Sequence, residues 1–337
     1  MRSVPHKPSV GKLLNYPPVG GSGLVTCRRR VCVPLLVLVA LLTVTSLVAA
    51  PVEQRGRRTQ DVFRAGIELV QMAVTVVDED GRLVGDLRRD DFEVFEDGVR
   101  QTLTDFTRDR VPLSLGVVLD VSQSMFGQRI DDARLALDQF LADRLDPGDE
   151  VFISVFNHTP RVVVPWTIGP RQLRNKLQDV RPYGGTSLYD AITNALPLFA
   201  NRKHQRAAMV LISDGSDTGS QADVRDVRRR LRRNPVFVYA IAIDAPDSLP
   251  INDRVNPFAL REITNESGGY TEAVRDSPEL SPATTRIAEE LNNQYTLAYR
   301  PVGPADGSYR SIRVRVVGRD YRVRTRRGYV ADARLQD

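Results

Sequence analysis

The sequence predicts an α/β protein built on a doubly wound, mostly parallel sheet, with a small flanking β domain and an N-terminal transmembrane or signal segment. Three observations carry that expectation: continuous apolar runs alternating with helical periodicity between residues 111 and 293, shorter alternating strands on either side, and an uncharged run over 31–50 behind three arginines. The 42% hydrophobic and 26% charged content over 337 residues is that of a globular chain with one large domain and smaller attachments, which excludes wholesale disorder.

Residues 1–30 form a basic segment containing Arg2, Lys7, Lys12, Arg28, Arg29 and Arg30 and no acidic residue. Residues 31–50 are twenty residues without a charge. As a helix rising about 1.5 Å per residue they reach across roughly 30 Å of hydrocarbon. Arginines on the N-terminal side favour a cytoplasmic N-terminus and a body outside the cytoplasm, periplasmic or extracellular. The run is longer than a signal-peptide core, and Pro51 would follow the small residues Val48 and Ala50 at the cut. An uncleaved signal anchor is therefore expected over a cleaved, secreted form. The formal charge is +5, but six of the 47 basic residues lie in the first 50, leaving 41 against 42 acidic ones. The basic balance belongs to the targeting segment, and no nucleic-acid partner is expected. Cys27 and Cys32 lie in or beside that segment, so the exported part folds without disulfides.

A polar, Arg-rich linker is expected over 51–62 and an N-terminal β unit over 63–110. In that unit 67–77 is β-rich, Asp80-Gly81 is a turn, and 92–96, Asp97-Gly98 and 99–103 read as a hairpin. Residues 113–119 are the apolar run that a parallel strand covered on both faces requires. A helix follows over 129–144, then a strand at 151–156 and an antiparallel edge strand at 162–166. Helices are expected at 170–180 and 188–200, a buried strand at 207–213, a helix at 222–233, a strand at 236–243, and a helix at 257–266 ended by Gly268-Gly269. Tyr270 opens a short strand and 282–292 forms the last helix. Alternating β and α elements imply a parallel sheet with helices on both faces and a ligand site beyond the strand C-termini. Residues 294–331 return to β-strands at 295–299, 309–317 and 321–325.

The first buried strand ends in Asp120-Val121-Ser122-Gln123-Ser124, an Asp-x-Ser-x-Ser pattern on a strand-to-helix loop. Carboxylate and hydroxyl oxygens are the hard ligands that Mg²⁺ takes, although Ser and Asp are equally the residues that cap a following helix. Gly184-Gly185-Thr186-Ser187 presents another hydroxyl just before a helix, and Ser213-Asp214-Gly215 ends another buried strand on a carboxylate. The topology opens all three loops on one sheet edge.

This combination resembles the metal-ion-dependent adhesion site (MIDAS) of von Willebrand factor type A domains, over about 112–293. The resemblance implies a Rossmann-like domain at 111–293 and assigns metal-ligating hydroxyls to Ser122, Ser124 and Thr186 and carboxylates to Asp120 and Asp214. It implies a bound Mg²⁺, with Mn²⁺ or Ca²⁺ as alternatives, and a protein partner that offers an acidic side chain to the metal. The flanks, Asp90 to Gly98 before the domain and Gln294 to Tyr299 through Arg327-Gly328-Tyr329 after it, look like those of a bacterial exported group of such proteins. The expected role is a non-enzymatic, membrane-anchored adhesion or assembly module. A metal-assisted hydrolase, or an envelope scaffold with a vestigial site, are the alternatives.

Other features receive plainer readings. The arginines at 225, 228, 229, 230, 232 and 233 make a basic helix, and those at 313, 315, 322, 324 and 326 alternate with apolar residues, both read as solvated faces. His158 and His204 flank no motif, Trp166 reads as packing, and Asp217 is either a group supporting the metal site or an ordinary loop aspartate. No Ser-His-Asp arrangement and no phosphate-cradling Gly-x-x-x-x-Gly-Lys run is present.

Overall fold

Strands buried on both faces and strands buried on one face build two different parts of the molecule. The computed structural model describes residues 69–169, 173, 175–214, 217–243 and 257–332, all within the unit Phe63–Asp337. The targeting segment, anchor and linker at 1–30, 31–50 and 51–62 lie outside the described residues. Among the described residues no helix is long and apolar enough to cross a membrane.

The N-terminal flank contributes β1 (Val70–Val77), β2 (Phe92–Glu96), β3 (Val99–Gln101) and β4 (Leu103–Thr107). The central body runs β5 (Leu113–Asp120), α1 (Gln128–Gln139), β6 (Glu150–Phe156), β7 (Arg161–Ile168), α2 (Leu188–Ala195), β8 (Arg206–Ser213), α3 (Val224–Leu231), β9 (Phe237–Ile243), α4 (Pro257–Ser267), β10 (Thr271–Val274) and α5 (Leu280–Asn292). The C-terminal flank adds β11 (Tyr295–Tyr299), β12 (Tyr309–Val316), β13 (Arg322–Arg324) and β14 (Gly328–Val330).

The central sheet has the order β10-β9-β8-β5-β6-β7. All its pairings are parallel except that of the edge strand β7 with β6. Every residue of β5, β6 and β9 is buried, because helices cover both faces. Leu115, Val117 and Leu119 face α1 and α5, where Ile130, Leu137, Ile287 and Leu291 join them. Val118 and Leu211 face the opposite way, toward Ile192 of α2, Val227 of α3 and Ile263 of α4. Each such side chain taken fully out of water contributes about 1.5–3 kcal/mol. The sheet has helices on both faces and one antiparallel edge, a mixed α/β fold.

The flanks pair with one another. β1 lies between β11 and β13, and β2 pairs with β12. The result is two four-stranded sheets, β13-β1-β11-β4 and β14-β12-β2-β3. They enclose a core of Val74, Val94, Tyr295, Leu297, Tyr299 and Val314. β12 alternates exposed and buried along its whole length, as a strand with one wet face must. Inside this core Glu96 accepts hydrogen bonds from the Tyr299 and Tyr329 hydroxyls, at 2.5 and 2.9 Å, and pairs with Arg310 at 3.1 Å.

Two local expectations need correction, and a third holds only in part. The hairpin stops at Gln101, and Leu103–Thr107 leaves it to pair with β11 in the other sheet. Residues 175–180 form turns closed by i to i−3 bonds, such as Lys176 N to Leu173 O at 3.1 Å, and not a regular helix. The basic helix α3 keeps Arg225, Arg229, Arg230 and Arg233 exposed, as a solvated face, while two half-buried arginines at its end form a joint. Arg228 and Arg232 both grip Glu266 of α4, at 3.0 and 2.9 Å, and Arg229 pairs with Asp226. Burial pushes the Glu266 carboxyl up, but the hydrogen bonds from Arg232 and Arg228 outweigh it and hold it below the usual range.

Removing Glu96 strands the Arg310 guanidinium without its counter-charge. Glu96→Ala is therefore expected to lower stability by about 3–5 kcal/mol in urea denaturation. Glu93→Ala releases only the exposed Arg100 and Arg315 and is expected to cost under about 1 kcal/mol in the same measurement.

Candidate metal centre

β5 and β8 are adjacent parallel strands in register, Leu119 opposite Ile212, so both end at the same edge. β5 finishes on Asp120, and Asp214 follows the last residue of β8. Both carboxylates are fully buried. Ser122 N donates to Asp120 Oδ1 at 2.8 Å, and Ser213 Oγ donates to Oδ2 at 2.5 Å. Ser122 Oγ and Ser124 Oγ lie 3.0 Å apart, and Ser124 Oγ donates to Asp214 Oδ1 at 2.7 Å. Four of the five residues singled out in the sequence thus form one chain of hydrogen bonds.

Thr186 is buried on the neighbouring loop and is joined to the segment after Asp214 through main-chain bonds. Thr186 N donates to Thr218 Oγ1 at 3.0 Å, and Thr186 O accepts from Thr218 N and Gly219 N. Asp217 secures the same segment to α2 by accepting from Tyr189 N at 3.2 Å and Ser220 Oγ at 2.5 Å. Its contacts are those of a loop brace. The loops are also tied across the edge. Gln123 N donates to Gly184 O at 2.9 Å, Tyr183 N to Val121 O at 2.9 Å, and the buried Asn157 reaches Tyr183 O at 3.1 Å. Gly184 sits at φ +78°, where a side chain would be strained, and a Cβ there would meet His158 Nδ1 at 2.7 Å. His158 therefore lines this loop, with its ring edge-on to Tyr183.

The electrostatics are those of two like charges out of water. Burial pushes the Asp120 carboxyl up to about 7, and the Asp214 charge adds to the rise. Asp214 is also raised, chiefly by burial, against the opposing pull of Ser124 and Arg129. Arg129, in the first turn of α1, pairs with Asp214 Oδ2 and donates to Ser124 O at 3.3 Å. Neither Arg129 nor Ser213 was singled out in the sequence. Ser213 immediately precedes Asp214, which was a usable signal, whereas nothing in the spacing set Arg129 apart.

Among the described residues no three His, Cys, Asp or Glu side chains converge. A metal on this edge would therefore depend on hydroxyls as well as carboxylates. An all-oxygen set of that kind suits a hard divalent ion, whose charge two carboxylates balance.

Residues 115–216 match the von Willebrand factor type A domain family. By that match, residues 115–216 are those of a von Willebrand factor type A domain. Its sequence is 28% identical over 192 residues to an uncharacterised protein of Synechocystis sp., over 55% of this chain and 43% of that one. It is 22% identical over 196 residues to inter-alpha-trypsin inhibitor heavy chain H2 of Mesocricetus auratus, over 55% of this chain and 20% of that one. The chain thus matches less than half the length of these curated relatives. Among solved structures, proximal thread matrix protein 1 of the mussel byssus, with a zinc-occupied MIDAS motif, is similar at a TM-score of 0.49 and 15% identity, over 58% of this chain and 50% of that one. The matched residues run from β5 through β8 of the central sheet, and the paired flanks lie outside them in sequence.

Asp120 provides a pH test of the site. Its folded pKa, near 7, lies above its unfolded value, so its stabilising contribution is complete below about pH 4 and is lost as pH rises through 7. In EDTA, Asp120→Asn is expected to melt above the parent chain at pH 7.5, with the gap closing toward pH 4 in thermal scans.

Proposed function

We propose that the chain is a divalent-cation-dependent protein-binding module, held at the outer side of the cytoplasmic membrane by residues 31–50. Asp120, Ser122, Ser124, Thr186 and Asp214 hold Mg²⁺, directly or through water, and a partner's Asp or Glu completes the shell. The observation that carries the reading is the pair of buried carboxylates, Asp120 and Asp214, raised by desolvation and linked through the Ser122 and Ser124 hydroxyls. A dication relieves their burial cost and leaves hydroxyl and water positions that a ligand can enter. The ion supplies a point of attachment for a carboxylate, and the loops at 121–127 and 183–187 shape what reaches it. The reading is non-enzymatic: the groups on the carboxylates are the Ser213 and Ser124 hydroxyls, the Ser122 N–H and the Arg129 guanidinium, which fix the oxygens in place.

Two measurements test it. In calorimetry Asp120→Ala and Asp214→Ala are each expected to abolish Mg²⁺ binding, and unchanged isotherms would remove the metal assignment. In crosslinking from intact envelopes, partners captured in Mg²⁺ are expected to disappear in EDTA. Capture of the same partners in both would leave the domain as a scaffold whose binding ignores the metal.

A further inference from the structure

Arg129 changes the charge arithmetic of this edge. Its side chain is 17% exposed and its guanidinium is bonded to Asp214 Oδ2, a carboxylate with no exposure at all. A second bond to Ser124 O holds the head group over the hydroxyl loop. Arg129 projects from the first turn of α1, next to the loop that supplies Ser122 and Ser124. With both carboxylates ionised, as a bound dication favours, they and one guanidinium sum to −1. Adding a dication brings the cluster to +1, and only a bound anion returns it to neutrality. Without Arg129 the two carboxylates and the metal would already balance.

We propose that Arg129 weakens the metal site on its own and couples metal binding to the arrival of an acidic ligand. The inference rests on the metal-site reading above. In a buried setting, charges a few ångströms apart act on one another strongly, so a metal ion at Asp214 either meets the guanidinium's charge or displaces it. A carboxylate from the partner is drawn by both cations and offsets the excess. Metal and acidic ligand then each raise the affinity for the other by the same factor, as linkage requires.

The test uses the full chain, with Mg²⁺ titrated in sodium chloride and in sodium acetate of equal ionic strength. The parent chain is expected to bind Mg²⁺ several-fold more tightly in acetate, and equal affinities in the two salts overturn the coupling. Arg129→Gln is expected to bind Mg²⁺ roughly tenfold more tightly in chloride and to lose most of the acetate effect. Arg129→Lys, which keeps the charge, is expected to stay within a few-fold of the parent. Equal or weaker Mg²⁺ binding by Arg129→Gln overturns the proposal, while undiminished binding by Asp120→Ala overturns the metal-site reading itself. Should Arg129→Gln lose its helical circular dichroism, the salt comparison on the parent chain still decides.

Discussion

The structure turns on the confinement of two carboxylates, Asp120 and Asp214, at the ends of adjacent parallel strands. Parallel pairing of β5 with β8 fixes both at one edge, and both are fully out of water. Burial of two like charges side by side is costly, and the surroundings are built to offset it. Hydroxyls of Ser213 and Ser124, the main-chain N–H of Ser122 and the Arg129 guanidinium all point at these four oxygens. The loops that carry these groups are cross-tied by main-chain bonds, so they are presented in a fixed array.

A second polar seam joins the α/β body to the flanking sheets. Glu290 of α5 accepts from Thr75 of β1 at 3.0 Å and from the Tyr239 hydroxyl at 3.1 Å, and it pairs with Arg324 of β13. Burial raises Glu290, with Arg324 opposing it. On the other side Arg326 donates to Arg232 O, and Val330 N bonds to the same carbonyl, while the Arg232 guanidinium lies 4.6 Å from the centre of the Tyr309 ring. Burial depresses Arg326 to about 10. The helices α3 and α5 are thus held at their outer ends by strands from outside the central sheet. These joints use arginines whose sequence pattern alone resembled a wet surface.

Much of this was legible in the sequence, for identifiable reasons. The runs that became β5, β6, β8 and β9 carry no charged residue between their ends because both their faces are covered, and the order of strand and helix fixes which loops share an edge. The Asp-x-Ser-x-Ser loop, Thr186 and Asp214 could be found because topology converts their sequence order into proximity. Pairings that depend on partners far along the chain were not legible. Glu266 recruits Arg228 and Arg232 from the basic face of α3 into a joint, and β11 draws Leu103–Thr107 away from its hairpin. Arg129 belongs to the same class, since its role follows from the reach of one side chain across to β8.

The most direct measurement is anomalous diffraction from crystals of the chain grown with Mn²⁺. The account predicts one dominant peak within bonding distance of the Ser122 and Ser124 hydroxyls and near Asp120, Thr186 and Asp214. A fully occupied peak elsewhere, for example among Asp78, Glu79 and Asp80, with none between the ends of β5 and β8, would contradict it.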